Sequence, residues 1–120
     1  MGGGFSKAKG KRGEREARDD FAFHLRLPIG KEGVYRGVQY QGGTDSPDIV
    51  IKGLDVHVEV KRVEALNLYK AIEQAEQDAG GKRPYCVWHR KNNKPSVAIV
   101  PMSQLAVSYT HLTLPTIYSV

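Results

Sequence analysis

Apolar and polar residues alternate between positions 45 and 62 (DSPDIVIKGLDVHVEVKR), which is the period of strands with one buried face. Gly53, at the first central position of a type II′ turn, would join two such strands into a hairpin. That register places Ile49 opposite Val58 and Ile51 opposite Val56. One face is then wholly apolar and is predicted to lie on the core. It comprises Ile49, Ile51, Val56, Val58 and Val60.

Two other segments have the spacing of amphipathic helices. The first runs from about Gly13 to Leu27, with Ala17, Phe21 and Leu25 on one stripe. The second runs from Ala65 to Ala79, and its apolar stripe comprises Leu68, Tyr69, Ile72, Ala75 and Ala79. Segments 34–41, 85–89 and 96–100 are β-prone, and 102–106 begins a further helix. The order α-β-β-β-α-β-β predicts an α/β domain with a small mixed sheet flanked by helices.

The predicted domain spans residues 13–106 of the 120. Residues 1–12 are rich in Gly and Lys and are predicted to form a flexible basic arm. Residues 107–120 (VSYTHLTLPTIYSV) have no helical stripe, and they resemble a translated cloning or adaptor sequence. We interpret them as a non-native tail that replaces the native C-terminal helix. A genuine unstructured tail is the alternative.

Composition narrows the class of protein. Cys86 is the single cysteine, so no intrachain disulfide can form, and we expect a reducing cytoplasm in a bacterial, archaeal or phage-infected cell. No apolar run approaches the roughly 20 residues of a membrane span. The net charge of +5 is concentrated near the N-terminus and between positions 82 and 94. Such charge predicts a polyanionic partner, with an ordinary solvated surface as the alternative.

Candidate chemistry lies on the other face of the hairpin. The predicted register sets Asp48 directly opposite Glu59, with Lys61 two residues further along. Like charges so placed are destabilising, whereas a divalent cation between them would turn the repulsion into a ligand set. Hard oxygen ligands suit Mg²⁺, and a lysine beside it can steady developing phosphate charge. A plain amphipathic hairpin with a polar outer face is the alternative.

These residues resemble a known pattern. Pro47-Asp48, followed after ten residues by Glu59-Val60-Lys61, resembles the PD-(D/E)xK nuclease superfamily. The segments KGKRGERE and EQAEQDAG also resemble archaeal-type Holliday junction resolvases and related phage endonucleases. The resemblance covers about Gly10 to Met102. It implies a restriction-endonuclease-like core that lacks its C-terminal helix here.

The resemblance also implies roles for particular residues. The family carries a helix glutamate that helps to hold the metal, and Glu14 fits because it shares the stripe of the first helix, whereas Glu16 faces away. Glu14, Asp48, Glu59 and the Val60 carbonyl would hold Mg²⁺, for which Mn²⁺ could substitute. Lys61 would orient the attacking water. Gln74 matches a polar position that faces the site, with a surface helix residue as the alternative. For His57, a polar or edge position is favoured over a ligand or general base.

The expected substrate is DNA, most of all branched DNA. The residues expected to contact it are Lys11, Arg12, Arg15, Ser46, Arg62, Lys82, Arg90 and Lys91. The resemblance implies a homodimer, which would match the two-fold symmetry of a four-way junction. Two alternatives stay open: a phage or restriction-type endonuclease acting on unbranched DNA, and a non-catalytic basic DNA-binding module.

Overall fold

The computed structural model describes residues 3–37 and 47–105, and its elements follow the predicted order. They are α1 (Gly3–Leu25), β1 (Val34–Arg36), β2 (Ile49–Ile51), β3 (Leu54–Lys61), α2 (Leu68–Asp78), β4 (Tyr85–His89), β5 (Val97–Ile99) and α3 (Met102–Gln104). The predicted α/β class is therefore confirmed. The tail at 107–120 lies outside the described residues. None of the helices in the described ranges has the length and apolar character needed to cross a membrane.

The five strands form one mixed sheet in the order β1-β2-β3-β4-β5. Neighbours pair antiparallel except β3 and β4, which are parallel. A parallel pair needs a crossover, and α2 supplies it. The longest strand, β3, is central, so its two faces are covered by different helices.

Helix α1 begins at Gly3 rather than near Gly13, so it includes most of the residues predicted to be a flexible arm. It ends two residues earlier than predicted, where Arg26 takes a left-handed conformation (φ 58°) and breaks the hydrogen-bond ladder. Ala17 on the predicted stripe is fully buried, and Phe21 and Leu25 are half-buried against the same core. The stripe is therefore confirmed.

The predicted hairpin register is correct at one end and wrong at the other. Ile49 pairs with Val58, but Ile51 pairs with Leu54 instead of Val56, with an irregularity between the two pairs. The turn is thus centred on Lys52 and Gly53, and Gly53 takes the second central position with φ 84°. Because of this irregularity, the apolar side chains of both strands still point to the same side of the sheet. They pack in the core beneath α1, as predicted.

Helix α2 packs against the sheet through small residues. Asn67 caps its N-terminus by accepting a hydrogen bond from the Lys70 backbone N–H at 3.3 Å, so the helix starts at Leu68 instead of Ala65. Ala71, Ala75 and Ala79 are buried, whereas Leu68 and Tyr69, both on the predicted stripe, are exposed. Alanine at these positions allows the helix to lie close to β3 and β4, so the prediction of a bulkier buried stripe was partly wrong.

Candidate metal centre

The titratable side chains of the candidate site lie on one face of the hairpin, which we term the polar face. It comprises Asp48, His57, Glu59 and Lys61. Asp48 immediately precedes β2, and the other three alternate along β3 with Val58 and Val60, which pack on the α1 side. Strand periodicity therefore puts these three on the side covered by α2. Asp48 is 9% exposed and Glu59 is 8% exposed.

Asp48 is fixed by backbone contacts. Its Oδ2 accepts a hydrogen bond from the Val60 N–H at 2.8 Å, and its own N–H donates to the Val58 carbonyl at 2.9 Å. Its carbonyl accepts from the Gly37 N–H at 3.0 Å. A Cβ at position 37 would lie 2.0 Å from the Pro47 carbonyl oxygen, so only glycine permits this approach. The main chain of Asp48 is therefore held between β3 and the residue after β1, and its carboxylate is held by β3.

The surroundings of Asp48 concentrate negative charge. Burial, together with the charges of Glu59 and Glu14, raises the pKa of its carboxyl from 3.8 to about 7. The hydrogen bond from Val60 and the proximity of His57 oppose this rise in pKa. Glu59 lies one step beyond the Ile49–Val58 pair, as the predicted pairing with Asp48 requires. A cation here would relieve the crowding of charge.

Glu14 lies near this pair but is engaged elsewhere. Its Oε1 accepts hydrogen bonds from Arg36 Nε at 3.2 Å and Nη2 at 3.1 Å, which ties α1 to β1. Within the described ranges, Glu14, Asp48 and Glu59 do not form a trio whose ligand atoms all approach within 4.8 Å. The role of Glu14 as a metal ligand stays a prediction.

Lys61 and Gln74 lie next to each other, as expected if Gln74 faces the candidate site. Lys61 Nζ donates a hydrogen bond to Gln74 Oε1 at 2.9 Å, across the gap between β3 and α2. Gln74 is exposed, so it is also a surface helix residue. The contact fixes the direction of the Lys61 ammonium group.

His57 differs most from its expected setting. It lies in the central strand and is 0% exposed, so an edge position was wrong. Neither ring nitrogen has a hydrogen-bond partner among the residues that the structure describes, and Nε2 is 3.5 Å from Glu59 Oε1. In the described part of the chain, His57, Glu59 and Asp78 place one ligand atom each within 4.8 Å of one another. Asp78 was missed, although its position four residues after Gln74 puts it on the same side of α2.

The residues predicted to contact DNA fall into two groups. Lys11, Arg12, Arg15, Lys82 and Lys91 are exposed, and Ser46 lies outside the described residues. Arg62 instead has a side chain only 16% exposed and donates to Glu16 Oε1 at 3.0 Å, the Arg90 carbonyl at 3.2 Å and Asn92 Oδ1 at 3.1 Å. Arg90 donates to the same Glu16 oxygen at 2.9 Å. These contacts make Arg62 a structural link between α1 and the β4–β5 loop.

The donor set on the polar face fits a hard divalent cation. Asp48 and Glu59 supply carboxylate oxygens, and the pKa of Asp48 is raised by its burial and by the charge of Glu59. Mg²⁺ characteristically uses one or two carboxylates and keeps its remaining positions for water and phosphate oxygens. Val60 contributes its N–H to Asp48, and a ligand role for its carbonyl stays a prediction.

Comparisons with family models, curated proteins and solved structures returned no significant match for this chain. The class that the structure defines is an α/β domain with a five-stranded mixed sheet between helices. Function has to be inferred from the residues of the polar face and their surroundings.

Proposed function

We propose that this protein is a Mg²⁺-dependent endonuclease of the PD-(D/E)xK type, which hydrolyses phosphodiester bonds in branched DNA on a restriction-endonuclease-like core. The observation that carries the proposal is the burial of Asp48 and Glu59 beside each other, with Lys61 on the same face of β3. The Pro47-Asp48 and Glu59-Val60-Lys61 spacing and the order of the elements support it.

Burial distinguishes this arrangement from a plain amphipathic hairpin. A polar outer face that serves only solubility would leave its carboxylates in water, yet both are less than a tenth exposed. Burying an ionised carboxylate is costly unless it is paired with opposite charge or a metal. Asp48 and Glu59 add mutual repulsion to that burial. A site that recruits a cation gives a physical reason for the pair.

Each residue has a distinct role in the proposed hydrolysis. Asp48 and Glu59, with Glu14 and the Val60 carbonyl, would hold Mg²⁺, which would supply a positive charge to polarise the scissile phosphate and to activate the attacking water. Lys61 orients that water and offsets negative charge that develops on the phosphate. Gln74 positions the ammonium group through its hydrogen bond to Lys61 Nζ. Arg36 holds Glu14 in the present arrangement and would have to release it for metal binding.

DNA binding is assigned to the exposed basic residues. Lys11, Arg12 and Arg15 lie on α1, and Lys82 and Lys91 lie in the loops after α2 and β4. Lysine and arginine contacts to phosphates give affinity that falls with salt and little sequence preference. Two active sites in a homodimer would suit paired cuts across a branch point.

The test uses the full chain with a synthetic four-way junction and a matched linear duplex, each with Mg²⁺ or with EDTA. We expect Mg²⁺-dependent, symmetrically paired nicks in the junction. Lys61→Met should reduce the rate of cutting by at least about 100-fold while DNA binding is retained. Lys52→Met is the matched control, because Lys52 lies in the hairpin turn and pairs with Glu32.

The outcomes separate the alternatives. Equal cutting of junction and duplex would keep the nuclease and overturn the branched substrate. DNA binding without Mg²⁺-dependent cleavage of any DNA would overturn the enzyme in favour of a basic DNA-binding module. Unchanged cutting by Lys61→Met would overturn the role of Lys61.

A further inference from the structure

We propose that His57, Glu59 and Asp78 form a binding site for a divalent metal ion of the Co²⁺ and Zn²⁺ class. One ligand atom from each residue lies within 4.8 Å of the other two. Strand β3 supplies His57 and Glu59, and the last residue of α2 supplies Asp78. The site shares Glu59 with the proposed Mg²⁺ site, but it requires neither DNA nor nuclease activity.

The buried imidazole is the independent sign of a ligand. His57 is 0% exposed, and within residues 3–37 and 47–105 neither ring nitrogen finds a hydrogen-bond partner. Leaving a buried polar group unsatisfied costs about 1–3 kcal/mol, so native proteins seldom retain one without a reason. A metal ion on Nε2 would satisfy the nitrogen that faces Glu59. Nδ1 would then carry the ring proton.

The spacing fits metal ligands better than a hydrogen bond. His57 Nε2 and Glu59 Oε1 are 3.5 Å apart, which is long for an N–H···O hydrogen bond. Two ligands about 2.1 Å from a tetrahedral metal ion lie about 3.4 Å from each other. The observed pair of atoms therefore already has the separation of two corners of such a site.

Charge at the end of α2 also favours a cation. Asp78 is the last residue of the helix, where backbone carbonyls give the helix its negative end, and the last turn has no basic residue. A carboxylate at this end is unfavourable by itself. A metal ion held by Asp78 and Glu59 would offset both side-chain charges and the helix dipole.

The donors select the kind of metal. Mg²⁺ prefers oxygen ligands and octahedral geometry, whereas an imidazole nitrogen suits transition metals such as Zn²⁺ and Co²⁺. One imidazole with two carboxylates therefore favours a transition metal over Mg²⁺. The carboxylate oxygens of Asp48 and Glu59, without a nitrogen ligand, favour Mg²⁺ instead.

The test measures metal binding by the metal-free full chain without DNA. Titration with Co²⁺ and Zn²⁺ in the calorimeter gives the affinity, and NMR of the Co²⁺ form detects the shifted ring N–H of a metal-bound imidazole. Asp78→Asn should weaken Co²⁺ binding at least about tenfold. Glu73→Gln, an exposed substitution on the same helix, should leave it unchanged. His57→Gln should remove the imidazole signal.

Three results would overturn the site: no imidazole signal in the wild type, equal Co²⁺ affinity in Asp78→Asn, or a signal that survives His57→Gln. Because Asp78 is partly exposed, its variant remains informative if His57→Gln fails to fold. Imidazole-ligated Co²⁺ in a protein that cuts no DNA would support this site while overturning the proposed nuclease.

Discussion

The backbone N–H of Val60 donates a 2.8 Å hydrogen bond to Oδ2 of Asp48. The residue between Glu59 and Lys61 thereby anchors the carboxylate that precedes the neighbouring strand. The contact joins the Pro47-Asp48 and Glu59-Val60-Lys61 parts of the pattern through a main-chain N–H and a side-chain carboxylate. Side-chain substitution at Val60 would leave this N–H in place, so the geometry of Asp48 depends on the fold of the hairpin.

Replacement of Asp48 by Asn should change how stability depends on pH. The pKa of Asp48 is raised from 3.8 to about 7 by burial and by Glu59, so the folded protein retains a proton that the unfolded chain has lost. Stability should therefore fall as pH rises from about 4 to about 7, by an amount on the order of 4 kcal/mol. Asp48→Asn removes this dependence and should be more stable than the wild type at pH 8.

Urea denaturation at several pH values measures this effect without added metal. Asp55→Asn is the control, because Asp55 lies on the same hairpin but its side chain is 78% exposed. Parallel pH profiles for the wild type and Asp48→Asn would contradict the raised pKa.

Glu14 and Glu16 should behave differently although they lie on the same helix. Glu14→Gln should weaken Mg²⁺ binding at least about tenfold, and it should also cost some stability because it weakens the contact with Arg36 that ties α1 to β1. Glu16→Gln should retain Mg²⁺ dependence but lose about 1–3 kcal/mol, because Glu16 accepts from both Arg62 and Arg90. Mg²⁺ titration and urea denaturation of both variants test this contrast. If the two substitutions changed Mg²⁺ affinity equally, the assignment of Glu14 alone to metal binding would be contradicted.

Two glycines of α1 should respond oppositely to alanine. Gly10 has open space around it, so Gly10→Ala should stabilise the protein by about 0.5–1 kcal/mol through helix propensity. At Gly13 an added Cβ would lie 2.7 Å from the Cβ of Arg62, and we expect Gly13→Ala to destabilise by about 1–3 kcal/mol. Thermal and chemical unfolding measure both. A stabilising Gly13→Ala would mean that α1 does not lie this close to β3.

Asp20 should hold the indole ring of Trp88 in its buried position. Its Oδ2 accepts hydrogen bonds from Trp88 Nε1 at 2.8 Å and from Ser96 Oγ. Asp20→Ala would leave the buried indole N–H unpaired, at about 1–3 kcal/mol, and should shift the fluorescence of the single tryptophan. Asp19→Ala, next to it and exposed, should change stability by less than about 0.5 kcal/mol. Similar effects of the two substitutions would contradict this role of Asp20.

The order of elements and the facing of the hairpin follow from the sequence alone. Local periodicity determines which side chains share a face. The alternation through residues 49–60 therefore predicts a buried face of the hairpin. The i, i+4 stripe that includes Ala17 predicts that α1 packs on that face. The same alternation places Glu59 and Lys61 together on the other face. Pairing of Ile49 with Val58 then brings Asp48 next to Glu59.

The tertiary structure determines the turn, the burial of His57 and the long-range contacts, which the local sequence pattern does not fix. Two turns one residue apart were compatible with the chain around Gly53, and packing selected the one that pairs Ile51 with Leu54. Burial of His57 depends on its strand being central, and its proximity to Asp78 depends on where α2 docks. Likewise, Arg62 and Glu16 are far apart in sequence and meet only because α1 crosses the end of β3. Periodicity determines the face of each side chain, but only the packing of whole elements determines its partners across the fold.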